Sequence, residues 1–252
     1  MTTQNSIETE KNVSRDTIKR LLLDVKDIIK NPLTDQGIYY SHHESNLLKG
    51  YAMIIGPEDT PYEGGFYFFG FNFPTDYPFS PPKLTYCTND GVTRFNPNLY
   101  RNGKVCVSVL NTWRGDAWTS CQSISTVLLS LCILFTDNPL LNEPGILAAN
   151  PECKMYRDII VYKNYNVSML DIISKNKQVY PQQFDIFYSF AKKHFLDNAD
   201  KYIEKIRQKK EEIGEPENVR IVVRIYSMAI MMNYDTLLKR MIAISSTIKN
   251  ND

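Results

Sequence analysis

Four short extended segments between residues 38 and 87 constrain the fold of this chain most strongly. They are rich in aromatic and aliphatic side chains, a composition that favours β-strands, and turn residues separate them. Their connections are too short for the crossovers that parallel strands require, so they predict an antiparallel meander. The predicted strands are residues 38–42, 48–55, 65–73 and 83–87.

Helical patterns precede and follow these strands. From Ser14 onward, apolar residues recur on one face with lysines such as Lys19 on the other, and Asn31-Pro32 ends the pattern. A second helix is predicted to begin at a capping box formed by Thr119 and Gln122. The predicted apolar faces are Ile18, Leu21, Leu22, Val25, Ile28 and Ile29 in the first helix, and Ile124, Val127, Leu128, Leu131, Leu134 and Phe135 in the second.

The chain beyond about residue 165 is predicted to be mostly helical. Residues 197–213 have the charged pattern of an exposed helix, which stops at residues 214–216. Residues 219–244 are apolar, with a β-branched start and a methionine-rich, helix-like end. Leaving this surface in water would be unfavourable, by about 25 cal/mol per Å². We therefore expect it to pack on the rest of the chain or against a partner.

The composition is ordinary for a soluble globular protein, with 43% hydrophobic and 23% charged residues among 252. The formal net charge of +1 gives no reason to expect a nucleic-acid or membrane partner. No uncharged apolar run reaches the roughly 18 residues of a membrane span. The five cysteines form no C-x-x-C pair and the three histidines are not spaced as their partners, so we expect no zinc site. An odd cysteine count without a signal peptide predicts a reducing compartment, the cytoplasm, with the nucleus as an alternative.

The segment 96–106, NPNLYRNGKVC, carries the strongest chemical signal. Its Asn-Pro-Asn turn ends at Asn98, whose side chain carries an amide, and a spacer of seven residues separates Asn98 from Cys106. Asn102-Gly103 favours a tight two-residue turn, which would bring Asn98 and Cys106 close together. An amide donor beside a thiol suits acyl transfer through a thioester, because the thiolate carries the acyl group and the amide stabilises the oxyanion. The other four cysteines are expected to be small buried hydrophobes.

Two upstream motifs occur in order with this segment, GPEDTPYEGG at 56–65 and FPTDYPFSPPK at 73–83. Together with Trp118 they resemble the ubiquitin-conjugating enzyme family. The loops at 110–118 and 138–145 are most similar to the Z-type of this family, which bears a C-terminal extension.

The resemblance implies an α+β fold, with an N-terminal helix, a four-stranded antiparallel meander and packed C-terminal helices. It covers roughly residues 14–165, which are predicted to form the ubiquitin-conjugating catalytic domain. Residues 1–13 are predicted to be disordered, and residues 166–252 to form a mostly helical extension.

The resemblance also implies a reaction. Cys106 would accept ubiquitin or a ubiquitin-like modifier as a thioester from an activating enzyme, and pass it to a lysine of a protein substrate or to a ligase. No metal or organic cofactor is implied. Asn98 would face the oxyanion of the tetrahedral intermediate. Asn96 stands where most of the family has His, and that His is thought to brace the backbone, so the change leaves the reaction available.

Glu143 follows the second helix at a loop where many family members have Asp before Pro. A lysine of pKa about 10.4 is almost wholly protonated at pH 7, a handicap of roughly 4–5 kcal/mol. A nearby carboxylate raises a lysine pKa, so Glu143 would orient the lysine or accept its proton and would not act by lowering that pKa. An exposed loop acid without a role is the alternative, and the altered loop length leaves Asn142 as a second candidate.

Family members dock ligases and the activating enzyme through positions that match Phe79, the loop around Trp118, and the first helix, here carrying Lys19. Phe79 is either a core residue or an exposed contact, and Trp118 itself is expected to lie in the core. Residues 119–121 are Thr-Ser-Cys where common members have Ser-Pro-Ala, which puts conventional ligase partnership in doubt.

Two other functions stay open at this point. One is an inactive variant that only binds ubiquitin or scaffolds a ligase, although such variants usually lack the cysteine. The other is a thiol hydrolase, which needs a histidine base near the cysteine. The histidines are His42, His43 and His194, and none adjoins the motif in sequence.

Overall fold

The computed structural model describes residues 13–214 and 218–250, so the predicted disorder of residues 1–13 lies, apart from Val13, outside the described residues. The chain divides into two compact units, each built from separate stretches of sequence. The first contains residues 13–54, 68–86 and 104–133, and the second contains residues 55–67, 87–103 and the described residues from 134 onward.

Helix α1 of the first unit, Arg15–Lys30, confirms the predicted N-terminal helix. The Ser14 side chain caps it by accepting a hydrogen bond from the Thr17 backbone amide at 3.0 Å. The predicted apolar face is confirmed in part, because Leu21 and Ile28 are buried whereas Leu22 and Ile29 are exposed. Polar residues are buried instead, and each has a partner there: Thr17 donates to the Thr75 carbonyl, and Asp24 accepts from the Tyr77 hydroxyl. The buried residues are Thr17, Leu21, Asp24 and Ile28.

The predicted antiparallel meander is confirmed. Its strands lie side by side in chain order, with Ile38 opposite Ile54 in the first pair and Phe69 opposite Tyr86 in the last. Aromatic side chains of the third strand are buried on both faces, so this strand is central to the core. The strands are β1 (Ile38–His42), β2 (Lys49–Ile55), β3 (Phe66–Asn72) and β4 (Lys83–Tyr86).

Helix α2, Ile124–Cys132, begins later than predicted. Its capping box is formed by Ser123 and Thr126, so the prediction of Thr119 and Gln122 as the cap is wrong. The reason is local: the Gln122 side chain does accept a hydrogen bond from the Thr119 amide at 3.0 Å, but this closes a turn that precedes the helix.

The second unit contains the remaining helices. Helix α3, Glu152–Lys163, continues directly into a π-helical stretch, Asn164–Asp171. Helix α4, Tyr188–Ile213, begins nine residues before the predicted start at 197, because its first turns are less charged than the stretch that gave the prediction. Short 3₁₀ helices are Pro139–Asn142 and Gln182–Phe187 in this unit, and Thr34–Gln36 and Ser108–Leu110 in the first.

The end of the chain forms a hairpin and a helix: β5 (Asn218–Val223), β6 (Met228–Asn233) and α5 (Tyr234–Asn250). The prediction of a helix-like methionine-rich end is therefore wrong for Met228–Asn233. Burial alternates along this strand, with Met228, Ile230 and Met232 inside, which is the period of a half-buried strand. Methionine fits a helix equally well, so composition alone misled the prediction.

The hairpin and the last helices pack on earlier residues of the second unit. The Tyr234 ring lies 5.3 Å from that of Tyr162, and Lys205 pairs with Glu63 at 2.6 Å. Arg240 pairs with Asp171 at 2.6 Å. The apolar end of the chain is thus packed on the chain itself, while the predicted domain boundary at residue 165 stays a prediction.

None of the helices in the described residues combines the length and low polarity needed to cross a bilayer. The cysteines differ in their surroundings: Cys106 and Cys153 are buried, whereas Cys121 is exposed. The prediction of a small buried hydrophobe is therefore wrong for Cys121, which lies in the turn before α2.

Gly65 provides a test of the packing in the second unit. A Cβ at this position would lie 1.9 Å from the Asn164 side-chain oxygen. Asn164 cannot move away freely, because it accepts from the Tyr67 hydroxyl at 2.6 Å and donates to the Glu63 carbonyl at 2.8 Å.

We expect Gly65→Ala to lower the free energy of unfolding by about 2–3 kcal/mol, the usual scale of overpacking. Gly70→Ala is the matched control, since a Cβ there meets nothing within 4 Å. Urea denaturation of both variants measures the effect, and equal stabilities would contradict the packing described here.

Candidate functional site

Asn96 is the buried brace of the Asn-Pro-Asn turn. It is 0% exposed, and its Nδ2 donates to the Tyr62 hydroxyl at 2.9 Å and to the Leu134 carbonyl at 2.8 Å. Its Oδ1 accepts from the Asn98 backbone amide at 2.9 Å. With its side chain engaged in this way, Asn96 shapes the turn, as the bracing interpretation of this position predicts.

Asn98 is buried on the turn that Asn96 braces. Arg94 holds the same turn from its other side, because its guanidinium donates to the Asn96 carbonyl at 3.1 Å and to the Pro97 carbonyl at 2.5 Å. The backbone that carries the Asn98 amide is therefore fixed by two side chains. Sequence reasoning missed Arg94, which precedes the motif by only two residues but has no motif-specific signal of its own.

The turn after this motif lies one residue earlier than predicted. The Gly103 amide donates to the Tyr100 carbonyl at 2.9 Å, so Arg101 and Asn102 are the central residues and Gly103 follows them with φ +86°. Glycine is the favoured residue at this last position of a common turn, which explains the shift. The proximity of Asn98 and Cys106 stays a prediction.

The loop that carries Glu143 is held by its own asparagine. Asn142 Nδ2 donates to the Leu134 carbonyl at 3.2 Å and lies 3.5 Å from Asn96 Oδ1. The next residue, Glu143, is half-buried, and its Oε2 accepts a hydrogen bond from the Tyr226 hydroxyl at 2.5 Å. Two residues are candidates to orient the incoming lysine. Asn142 is engaged with a backbone carbonyl, and Glu143 presents a carboxylate that Tyr226 holds.

Sequence reasoning also missed Tyr226, which lies in the turn between β5 and β6. Burial raises the pKa of its hydroxyl, and the Glu143 carboxylate raises it further, so the hydroxyl remains a donor across the physiological range. The strand-like pattern of this segment is the signal that could have placed Tyr226 in a turn. Nothing in the sequence connects Tyr226 with residue 143.

In the first unit, the segment around Cys106 is held by a threonine. The Thr112 hydroxyl lies within hydrogen-bonding distance of the Val105 and Val107 carbonyls, at 3.0 and 3.1 Å, and accepts from the Val107 amide at 3.0 Å. Cys106 itself is 2% exposed. Thr112 is a third residue that sequence reasoning missed, although it lies in the loop singled out at 110–118.

That loop is closed at its base. Asn111, in a left-handed conformation with φ 56°, accepts from the Trp118 amide at 2.8 Å. The Trp118 indole donates to the Pro78 carbonyl at 2.7 Å, and the residue is 8% exposed, which confirms its expected place in the core. Residues 111–118 therefore form a defined loop that follows Cys106.

The other positions predicted to bind partners lie at the surface of the first unit. The sequence predicts Phe79 to be either a core residue or an exposed contact. It is 77% exposed, so it is not a core residue. Lys19 is exposed on α1. The neighbouring Arg20 donates to the Ser120 and Gln122 carbonyls and so joins α1 to the loop after Trp118. Partner binding by Phe79, Lys19 and Trp118 stays a prediction.

Among the described residues, neither the Cys132 thiol nor a cluster of metal ligands forms a second candidate centre. Burial raises the pKa of the Cys132 thiol, which favours its unreactive form. Among the described residues, no group of three His, Cys, Asp or Glu side chains is arranged to hold a metal ion.

Comparison with known proteins decides the family. The family profile described as "Ubiquitin-conjugating enzyme" matches residues 20–159, more than half of the chain. The chain belongs to the ubiquitin-conjugating enzyme family. It is 41% identical over 192 residues to Ubiquitin-conjugating enzyme E2 Z of Danio rerio, covering 75% of this chain and 57% of that protein.

Two further relatives of this family agree. Ubiquitin-conjugating enzyme E2 Z of Homo sapiens is 44% identical over 157 residues, which cover 61% of this chain and 44% of the human protein. A probable ubiquitin-conjugating enzyme of Acanthamoeba polyphaga mimivirus is 32% identical over 209 residues, 77% of this chain and 14% of the viral protein. The resemblance to the Z-type is confirmed, and the chain spans about half the length of the Z-type relatives.

Asn96→Ala tests the brace. The change leaves the Leu134 carbonyl and the Asn98 amide without their Asn96 partner in a buried site, so we expect a loss of about 2–4 kcal/mol in the free energy of unfolding. Denaturant titration followed by tryptophan fluorescence and by circular dichroism measures it. A loss below about 0.5 kcal/mol, the scale of ordinary surface changes, would contradict the bracing role.

Proposed function

We propose that this chain is an active ubiquitin-conjugating enzyme that carries ubiquitin or a ubiquitin-like modifier as a thioester on Cys106. The observation that carries the proposal is the braced Asn-Pro-Asn turn in a chain of this family, which holds Asn98 on a fixed backbone. The partners are an activating enzyme that supplies the thioester, and a protein substrate or a ligase that receives the modifier.

Charging is a thiol exchange. The Cys106 thiolate attacks the carbonyl carbon of the modifier's thioester on the activating enzyme, and that enzyme's thiolate leaves. Cys106 is 2% exposed as a residue, so we expect the activating enzyme to increase access to its sulfur when it binds. No metal or organic cofactor takes part in this exchange.

Transfer is an aminolysis. A lysine amine attacks the thioester carbonyl, the oxyanion forms, and the Cys106 thiolate leaves as the amide bond closes. The side-chain amide of Asn98 stabilises the oxyanion, and a rigid turn suits this role because the donor needs no rearrangement during the reaction. Glu143 orients the lysine and accepts its proton as the amine attacks.

The contacts of the histidines weaken the thiol hydrolase alternative. His42 pairs through Nδ1 with the Tyr40 hydroxyl at 2.8 Å and through Nε2 with the Leu47 carbonyl at 2.8 Å, which engages both ring nitrogens. His43 accepts from the Ser45 amide, and His194 pairs with the Tyr202 hydroxyl at 3.1 Å. A cysteine hydrolase needs a histidine committed to the thiol, and these contacts favour other roles for the rings.

Cys106→Ala should abolish formation of a reductant-sensitive adduct with the modifier while the protein stays folded. Cys106→Ser should trap an oxyester that reductant does not cleave, because oxygen replaces sulfur in the linkage. Incubation with a panel of activating enzymes and modifiers, followed by non-reducing electrophoresis, measures both.

Cys121→Ala is the matched control for this experiment, since Cys121 is an exposed thiol in the same unit. The control should charge as the unaltered chain does. Full charging of the Cys106→Ala variant would exclude the proposed mechanism, and an unaltered chain that no activating enzyme charges would favour the inactive, ubiquitin-binding alternative.

Asn98→Ala should charge nearly normally but discharge to free lysine about 10²–10³-fold more slowly, the usual effect of removing one oxyanion donor. Single-turnover discharge of the purified thioester measures the rate. Asn102→Ala, an exposed asparagine of the following turn, is the control and should discharge at the unaltered rate. Equal losses in charging and discharge, with a lower melting temperature, would show that Asn98 is only structural.

A further inference from the structure

The tip of the β5–β6 hairpin meets the elements that carry the candidate site of the second unit. Its turn, residues 224–227, is closed by a hydrogen bond from the Ser227 amide to the Arg224 carbonyl at 3.0 Å. Ser227 adopts φ 49°, a conformation that non-glycine residues adopt infrequently and that here closes the turn. The turn therefore presents its side chains in one defined arrangement.

Two anchors hold the backbone of this turn. The Glu152 carboxylate at the start of α3 accepts from the Arg224 and Ile225 amides at 3.3 and 3.2 Å. The Arg101 guanidinium donates to the Tyr226 carbonyl at 2.8 Å. Both anchors involve charged side chains, and hydrogen bonds of this type are stronger than those between neutral groups.

The Tyr226 side chain is fixed as well. Its ring centroid lies 5.6 Å from that of Tyr156, and the Arg94 guanidinium lies 5.3 Å from the same centroid. The hydroxyl then donates to Glu143 Oε2 at 2.5 Å. Because Arg94 also holds the carbonyls of the Asn-Pro-Asn turn, one guanidinium joins that turn to the hairpin.

We propose that Tyr226 is a positioning residue for transfer to lysine, which orients the Glu143 carboxylate toward the incoming amine; this rests on the function proposed above. A carboxylate rotates freely unless a donor fixes it, and each of its two oxygens can accept hydrogen bonds. Tyr226 engages Oε2 and so sets the direction of Oε1. A fixed acceptor speeds aminolysis because the orientation is already achieved before the amine arrives.

The β5–β6 hairpin thereby gains a role in the reaction. The residue that fixes the acid lies 83 positions after it in sequence, and outside the segment that matches the family profile. Cys106 would then be charged with the modifier without help from Tyr226, whereas transfer of the modifier to lysine would depend on Tyr226.

Tyr226→Phe keeps the ring and its contacts and removes only the hydroxyl. We expect the full chain to charge at the unaltered rate and to discharge its thioester to free lysine about tenfold more slowly, the scale of one hydrogen bond to a charged group. The loss should appear at saturating lysine, because orientation affects the rate constant more than the lysine concentration at half-maximal rate. Tyr180→Phe is the matched control, since it removes a similar hydroxyl bond to Asp185 at 2.8 Å elsewhere in the unit, and it should discharge normally.

The double variant decides whether Tyr226 acts through Glu143. Glu143→Ala should slow discharge, and adding Tyr226→Phe to it should cause no further loss. Additive losses, an unaltered rate for Tyr226→Phe, or a parallel fall in charging, discharge and melting temperature would each overturn the inference while leaving the proposed function standing. A chain that no activating enzyme charges would refute the proposed function, and this inference with it.

Discussion

The side-chain amide of Asn96 is the interaction on which the geometry of the second unit's candidate site depends. It joins the Asn-Pro-Asn turn to Tyr62 and Leu134, which lie 34 and 38 residues away in sequence. A buried amide without these partners would cost about 1–3 kcal/mol for each group left unpaired. These bonds hold the Asn96 side chain in place, and through the bond to the Asn98 amide they fix the turn that carries Asn98.

Arg94 extends this constraint to the end of the chain. Its guanidinium donates to the turn carbonyls and lies 3.3 Å from the Tyr100 ring centroid and 5.3 Å from that of Tyr226. Stacking on two aromatic rings suits arginine, whose planar group is weakly hydrated and can donate in its plane while its face packs. The hairpin is thus part of the same polar and aromatic network as the turn, which supports the proposal that Tyr226 bears on the chemistry.

Local signals in the sequence were sufficient for much of the fold. The four strands were predictable because aromatic residues and short connections leave few alternatives, and Ser14 was a recognisable helix start. The start of α2 was not, since the Gln122 side chain makes a capping-type bond to the Thr119 amide without a helix, and the true cap, Ser123, lies four residues after Thr119. The hairpin was missed because its turn contains no Gly, Pro or Asn, and its positive-φ residue is Ser227.

Some residues of the candidate site were likewise predictable from the sequence, and others were not. Asn96, Asn98, Cys106 and Glu143 were recognisable because they lie in or beside motifs whose chemistry is local. Tyr226 could not be found in this way, because its hydrogen bond to Glu143 is created by packing between segments 83 residues apart. A carboxylate on a loop is ordinarily free to rotate, and here a donor from the end of the chain removes that freedom. In the function we propose, Glu143 and not Asn142 serves the incoming lysine: Asn142 bonds a backbone carbonyl, whereas Tyr226 gives the Glu143 carboxylate a defined direction.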